Sequence, residues 1–232
     1  MFNHLNIDLG YDKLNRVDHN DKRHYMTPEG NIYPSVTTIL EPLSREGIAK
    51  WKKKVGEEEA KRVGYRACER GTKVHSIIER YLDNNPTYSA GFFPNIRFTF
   101  SEIKPLLERI NNILLQEKGL YSDHLMLAGT PDCIGEFNGK LSVIDFKTSK
   151  KPKKKKWIES YFIQETAYAI MFEERTGIPV ENLVTLIAVD GSEPQVFEEK
   201  RDNWTSKLLT LLPGNTGRDN WLSNSEFKLW KK

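Results

Sequence analysis

The stretch GTPDCIGEFNGKLSVIDFKTSKK, residues 129–151, constrains the fold more tightly than any other part of the chain. Asn138-Gly139 between two apolar runs is a strong hairpin signal, because a two-residue type I′ turn needs positive φ at both central positions. With those residues as the loop, Phe137 faces Lys140, Glu136 faces Leu141 and Ile134 faces Val143. Counting on sets Asp132 opposite Asp145, and side-chain alternation puts Lys147 on the face of Asp145. Directly opposed carboxylates destabilise a sheet. A divalent cation would offset that repulsion, since Mg²⁺ is held by one or two carboxylates together with phosphate oxygens. The competing reading is a solvated hairpin whose aspartates diverge or pair with lysines. Leu141, Val143, Ile144 and Phe146 place apolar groups on both faces, as in a sheet covered on both sides, which favours a site over a surface. On the hairpin alone the two readings stand about even.

The rest of the chain sets the limits. At 232 residues it is one sizeable domain, or one domain with appendages. Its net charge is only +3, so a basic surface has to be local. No apolar run reaches membrane-span length. The opening MFNHLNIDLGYDKLNRVD has no apolar signal core and carries acids, which predicts a cytoplasmic protein. The two cysteines, Cys68 and Cys133, fall short of the four that a zinc or iron–sulfur site of that kind requires. They suit a reducing compartment.

Residues 1–22 are polar and read as loosely ordered. HYMTPEGNIYPSV reads as a small hairpin around Glu29-Gly30. Ser35 or Thr37 caps a short helix to Leu40, residues 44–64 are charged and helical in pattern, and helix signals continue from 65 to Leu82. Residues 83–95 read as a loop, and Ser101 as the cap of a helix over 102–117. Strands are expected at 121–128, 131–137 and 141–148, then a helix over 157–176 that Gly177 ends. A buried strand at 183–190, its partner at 194–199 and an amphipathic helix at 201–212 follow. The expected fold is α/β: a restriction-endonuclease-like α/β/α core around a central mixed sheet, with an N-terminal helical region. Three parts are anticipated: a hairpin and helical region over 1–64, the core over 65–212, and a tail over 213–232 that holds Trp221 and Trp230.

Three further clusters add to the hairpin. In RGTKVHSIIERYL, residues 70–82, Val74, Ile77, Ile78, Tyr81 and Leu82 form an apolar stripe with His75 and Glu79 together at its edge. Taken alone, that pair reads better as a histidine pinning the helix than as a metal ligand. In WIESYFIQETAYAIMF, residues 157–172, Gln164 shares a helical face with Trp157, Tyr161, Tyr168 and Phe172. A buried amide needs partners, so Gln164 either serves a site or is satisfied by backbone, and the face does not decide. The third is the basic loop directly after the Asp145–Lys147 strand: Thr148, Ser149, Lys150, Lys151, Lys153, Lys154, Lys155 and Lys156. A charge run is usually a solvated loop. Beside a metal site it would bind phosphates without reading sequence, with Trp157 and Tyr161 as stacking surfaces for unpaired bases.

These residues together resemble the PD-(D/E)XK nuclease superfamily: Asp132 in GTPD, and Asp145 with Lys147 in IDFKTS. Gly71 and His75 as G-x-x-x-H, with Glu79, and Gln164 and Tyr168 as Q-x-x-x-Y, resemble its RecB-type exonuclease branch. YPSVTTIL at 33–40 is most similar to the mitochondrial genome maintenance exonucleases and their phage and bacterial relatives. The resemblance spans about Tyr33 to Phe197. It implies Asp132, Asp145, His75 and the backbone carbonyl of Phe146 as ligands of Mg²⁺ or Mn²⁺; the chain departs from the iron–sulfur members of this branch, which need four cysteines, so no cluster is expected. It implies Lys147 as orienting the attacking water and stabilising the phosphorane, and Gln164 and Tyr168 as supports that touch the substrate backbone. Glu79 is a further supporting position. The activity implied is metal-dependent exonucleolytic hydrolysis of DNA in replication, recombination or repair; the stacking surfaces favour single-stranded ends, and the leaderless opening favours a bacterial cell or phage-infected host. A single-strand-binding protein or a helicase would be a natural partner. The alternatives are a flap or junction endonuclease and a non-catalytic DNA-binding recombination module on a nuclease fold.

Overall fold

The computed structural model describes residues 1–5, 7–19 and 21–212. The expected tail, with Trp221 and Trp230, lies outside them. The chain forms β1 (Asn15–His19), β2 (Lys22–Met26), β3 (Ile32–Pro34), α1 (Val36–Val55), α2 (Glu57–Leu82), α3 (Pro94–Leu107), β4 (Ile110–Gln116), β5 (Leu120–Ser122) and β6 (Leu127–Gly129). It continues through β7 (Cys133–Phe137), β8 (Lys140–Ser149), a 3-10 turn at Lys155–Trp157, α4 (Glu159–Thr176), β9 (Asn182–Val189), β10 (Gln195–Lys200) and α5 (Asp202–Thr210).

The central sheet runs β10-β9-β8-β7-β4. β8 and β9 are parallel, and the other neighbours are antiparallel. Val143 on β8 packs with Phe162 and Phe172 of α4 and Trp204 of α5. Ile144 and Phe146 pack on the opposite face with Val74 and Ile77 of α2 and Phe100 of α3. β8 is therefore apolar on both faces because helices cover both faces, the α/β/α arrangement read from its sequence.

The β7–β8 turn is as expected. Phe137 pairs Lys140, Glu136 pairs Leu141 and Ile134 pairs Val143. Asn138 and Gly139 have φ of 51° and 75°. Gly177 closes α4 in the left-handed conformation with φ of 72°. Ser35 caps α1, its hydroxyl accepting from Thr38 N at 3.1 Å.

Four expectations need correction. The described residues among the first 22 are not loose: β1 pairs with β2 in a three-stranded sheet, and the Leu5 amide donates to Ile113 O at 2.7 Å. The helix from Ser35 does not stop at Leu40 but runs to Val55, passing through Pro42. The helix expected over 102–117 is two elements. Pro94 in the first turn starts α3, where a missing N–H costs nothing. Ile110–Gln116 is a strand that buries Ile110, Ile113 and Leu115, with a bulge in its pairing to β7. Finally, the strand expected over 121–128 is a short hairpin, β5 with β6. α2 crosses residue 64 unbroken, so a continuous helix joins the N-terminal region to the core.

Candidate active site

Four elements meet at a cleft of about 670 Å³ at one end of the sheet. His75 comes from the C-terminal half of α2, held there because Val74, Ile77 and Ile78 are buried against the sheet. Asp132 immediately precedes β7. Lys147 comes from β8, and Gln164 and Tyr168 come from α4. Glu79 also lines the cleft, and its backbone carbonyl accepts from Gln116 Nε2 at 2.9 Å.

Asp132 is not the opposed partner of Asp145. The β7–β8 ladder ends at the Cys133–Ile144 pair. Beyond it, the Asp132 carboxylate itself takes the Phe146 amide, at 2.8 Å to Oδ2. Its other oxygen lies 3.4 Å from His75 Nδ1. Ending the ladder there avoids the direct like-charge pair that continued register would impose. Burial alone would raise the Asp132 carboxyl, but His75, Lys147 and the Phe146 amide outweigh burial and hold it below the usual aspartate range. Burial works against the His75 cation, and Asp132 more than compensates, so the imidazole is raised.

Asp145 is buried and pairs with Lys147. Gln164 Nε2 donates to Asp145 Oδ1 and to the Tyr168 hydroxyl, both at 3.4 Å. The Lys147 ammonium stands 5.1 Å from the Tyr161 ring centroid. Burial and the Asp132 charge push the Asp145 carboxyl up to about 6, although Lys147 pulls against them. Lys147 is raised: burial disfavours its charge, but Asp145 and Asp132 more than offset that. The lysine is therefore a fixed cation.

One site residue was not read from the sequence. Glu117 places a carboxylate oxygen with His75 and Asp132 so that all three donor atoms lie within 4.8 Å of one another. Its amide donates to Asp132 O at 3.2 Å. The residue is exposed overall, but enclosure of its carboxyl in the cleft, followed by the Asp132 charge, pushes that group up to about 7. An imidazole and carboxylates converging this closely suit a divalent cation with oxygen and nitrogen ligands. The sequence carries little signal for Glu117: it directly follows β4, where the pattern predicts a helix, and its φ of 46° appears only in the structure.

The basic loop is placed differently. Lys150 lines a separate groove with Thr148 and Ser149, and Lys156 lines a third with Trp157. Lys155 pairs with Glu199, and the backbone of Lys153 bonds the Gln195 side chain at 2.6 and 3.0 Å. Lys154 stands 5.4 Å from the Trp157 ring centroid, and Lys151 is exposed. Trp157 sits in the 3-10 turn and is exposed, and Phe172 is in the core. Of the face expected over 157–172, Gln164 and Tyr168 line the cleft and Tyr161 flanks Lys147.

The chain is 28% identical over 200 residues to human mitochondrial genome maintenance exonuclease 1 and 30% identical over 200 residues to the mouse protein. Each alignment covers 78% of this chain and 58% of the relative, so the chain spans under two thirds of their length. A crystal structure from Eubacterium rectale, provisionally named an exonuclease, aligns over 62% of each chain with TM-score 0.42 and 17% identity. No protein-family model matches the chain. With His75, Asp132, Lys147, Gln164 and Tyr168 lining one cleft, Asp145 paired with Lys147, and the mitochondrial exonucleases as relatives, the chain is similar to nucleases of the PD-(D/E)XK type.

Proposed function

We propose that the cleft hydrolyses phosphodiester bonds of DNA with one or two Mg²⁺ or Mn²⁺ ions, acting as an exonuclease on single-stranded ends. The observation that carries this reading is the contact of the Lys147 ammonium with Asp145, beside the His75–Glu117–Asp132 cluster. His75, Glu117 and Asp132 would hold the cation, with Asp145 and the Phe146 carbonyl as further oxygen donors. Bound there, a divalent cation supplies Lewis-acid polarisation of the phosphoryl oxygen and a water of lowered pKa.

The chain's own groups do the rest. Lys147, a permanent cation fixed by Asp145, offsets negative charge that builds on the phosphorane. Gln164 holds Asp145 from the α4 side, and Tyr168 receives the second hydrogen of the same amide. Asp132, tied to the Phe146 amide, keeps His75 in place. Glu79 supports the wall. The lysines from Lys150 to Lys156, with Thr148 and Ser149, would draw the strand in by charge, and Trp157 offers an exposed ring for a base. Among the described residues no helix is long and apolar enough to cross a membrane. The cytoplasm of a bacterial or phage-infected cell suits the free thiols of Cys68 and Cys133.

The test is digestion of linear and circular single-stranded DNA with Mg²⁺, Mn²⁺ or EDTA. Loss of linear strands alone, abolished by EDTA, is expected. Cleavage of circles would replace the exonuclease with an endonuclease.

A further inference from the structure

A second groove, of about 900 Å³, runs along the other flank of α2. Gly71, Thr72, His75 and Ser76 border the catalytic cleft, whereas Arg66, Arg70 and Lys73 border this groove. β8 reaches both: Lys147 lines the cleft, and Thr148 to Lys150 line the groove. Its opposite wall is the start of α3, where Phe93 and Phe98 are 65% and 62% exposed.

Phenylalanine has no polar handle. Single exposed rings are ordinary, but two in one groove flanked by cations form the pattern of a surface for unpaired bases. Arg70 binds Asp190 through both guanidinium ends, which ties α2 to the end of β9 as a fixed floor. Lys73 pairs with Glu69 at 2.7 Å and stands 5.3 Å from the Phe93 ring centroid. Arg66 and Lys150 are exposed and have no carboxylate partner among the described residues.

We propose that this groove is a binding subsite for single-stranded DNA: bases stack on Phe93 and Phe98, and Arg66 and Lys150 take the flanking phosphates. Charge complementarity favours a polyanion over an apolar protein segment. Continuity with the strand that carries Lys147 places the groove next to the reacting phosphate. The assignment rests on the nuclease reading of the cleft, and it names where the strand is held beyond it.

The experiment is fluorescence anisotropy of a labelled oligo(dT) with the full chain in EDTA, where no metal-dependent cleavage occurs. Base stacking on aromatic rings supplies much of the affinity of such a groove, so Phe93→Ala/Phe98→Ala should raise Kd by at least about tenfold. Phe98→Trp, which keeps an aromatic face, should bind within a few-fold of wild type. Arg66→Gln should flatten the salt dependence of binding. Wild-type affinity in the double alanine variant, or equal weakening by Phe98→Trp and Phe98→Ala, would overturn the assignment. The same oligonucleotide incubated with Mg²⁺ reports on the nuclease reading separately, because binding is measured without cleavage.

Discussion

Lys147 has the most consequential surroundings of any single residue in the cleft. Its partner Asp145 is buried, so deleting the lysine leaves a carboxylate without compensation. Lys147→Ala should lower cleavage by at least about 100-fold, the scale of losing one transition-state charge contact. It should also lower stability, since breaking a buried pair costs about 3–5 kcal/mol. Lys147→Ala/Asp145→Asn should recover much of the stability and none of the activity, which thermal melts and a cleavage assay together would show.

Glu165, next to Gln164 on α4, is fully buried, with Thr185 as hydrogen-bond donor. Burial, then the Asp145 charge, raises its carboxyl well above 4.5. A raised carboxyl binds its proton more tightly when folded, so its contribution is full below 4.5 and declines as pH rises towards the folded value. Glu165→Gln lacks that decline. Its Tm relative to wild type should therefore increase from acid to neutral pH, and a constant difference would contradict a protonated Glu165. Gly129 is a residue of close approach: a Cβ there would sit 2.8 Å from the Tyr168 ring. Gly129→Ala should cost about 1–3 kcal/mol by overpacking and impair cleavage by displacing Tyr168 from Gln164.

At the scale of elements, the β7–β8 hairpin was legible because one dipeptide fixes both turn and register. Gly139→Ala should destabilise by about 1 kcal/mol or more, because φ of 75° strains any residue with a Cβ. The placement of Asp132 was not legible from register. Local alternation predicted an opposed pair, and a side-chain acceptor for the Phe146 amide replaced it. The His75 helix was legible as an apolar stripe, but its meaning came only with the cleft. The start of α3 and the strand nature of β4 were missed for separate reasons. Pro94 signals a helix start from the sequence alone. The fate of INNILLQ depends on pairing with β7, a contact more than a dozen residues away in sequence.

At the scale of the molecule, the covered sheet follows from apolar runs in β8 and β9, and both helical layers could be anticipated from them. Glu117 could not, because convergence of His75, Glu117 and Asp132 is a product of three separate elements. Glu117→Gln should raise the Mn²⁺ concentration needed for half-maximal cleavage by at least about tenfold, with the melting temperature nearly unchanged. Calorimetric titration of Mn²⁺ into wild type and variant would read the same difference without substrate.

The central claim is that this cleft is a metal-dependent nuclease site. The most direct measurement is the loss of end-labelled linear single-stranded DNA in Mg²⁺ and in EDTA, for wild type and Asp132→Asn. The account predicts degradation by wild type in Mg²⁺ alone, with Asp132→Asn folded and inactive. Degradation in EDTA, or by folded Asp132→Asn at the wild-type rate, would contradict it.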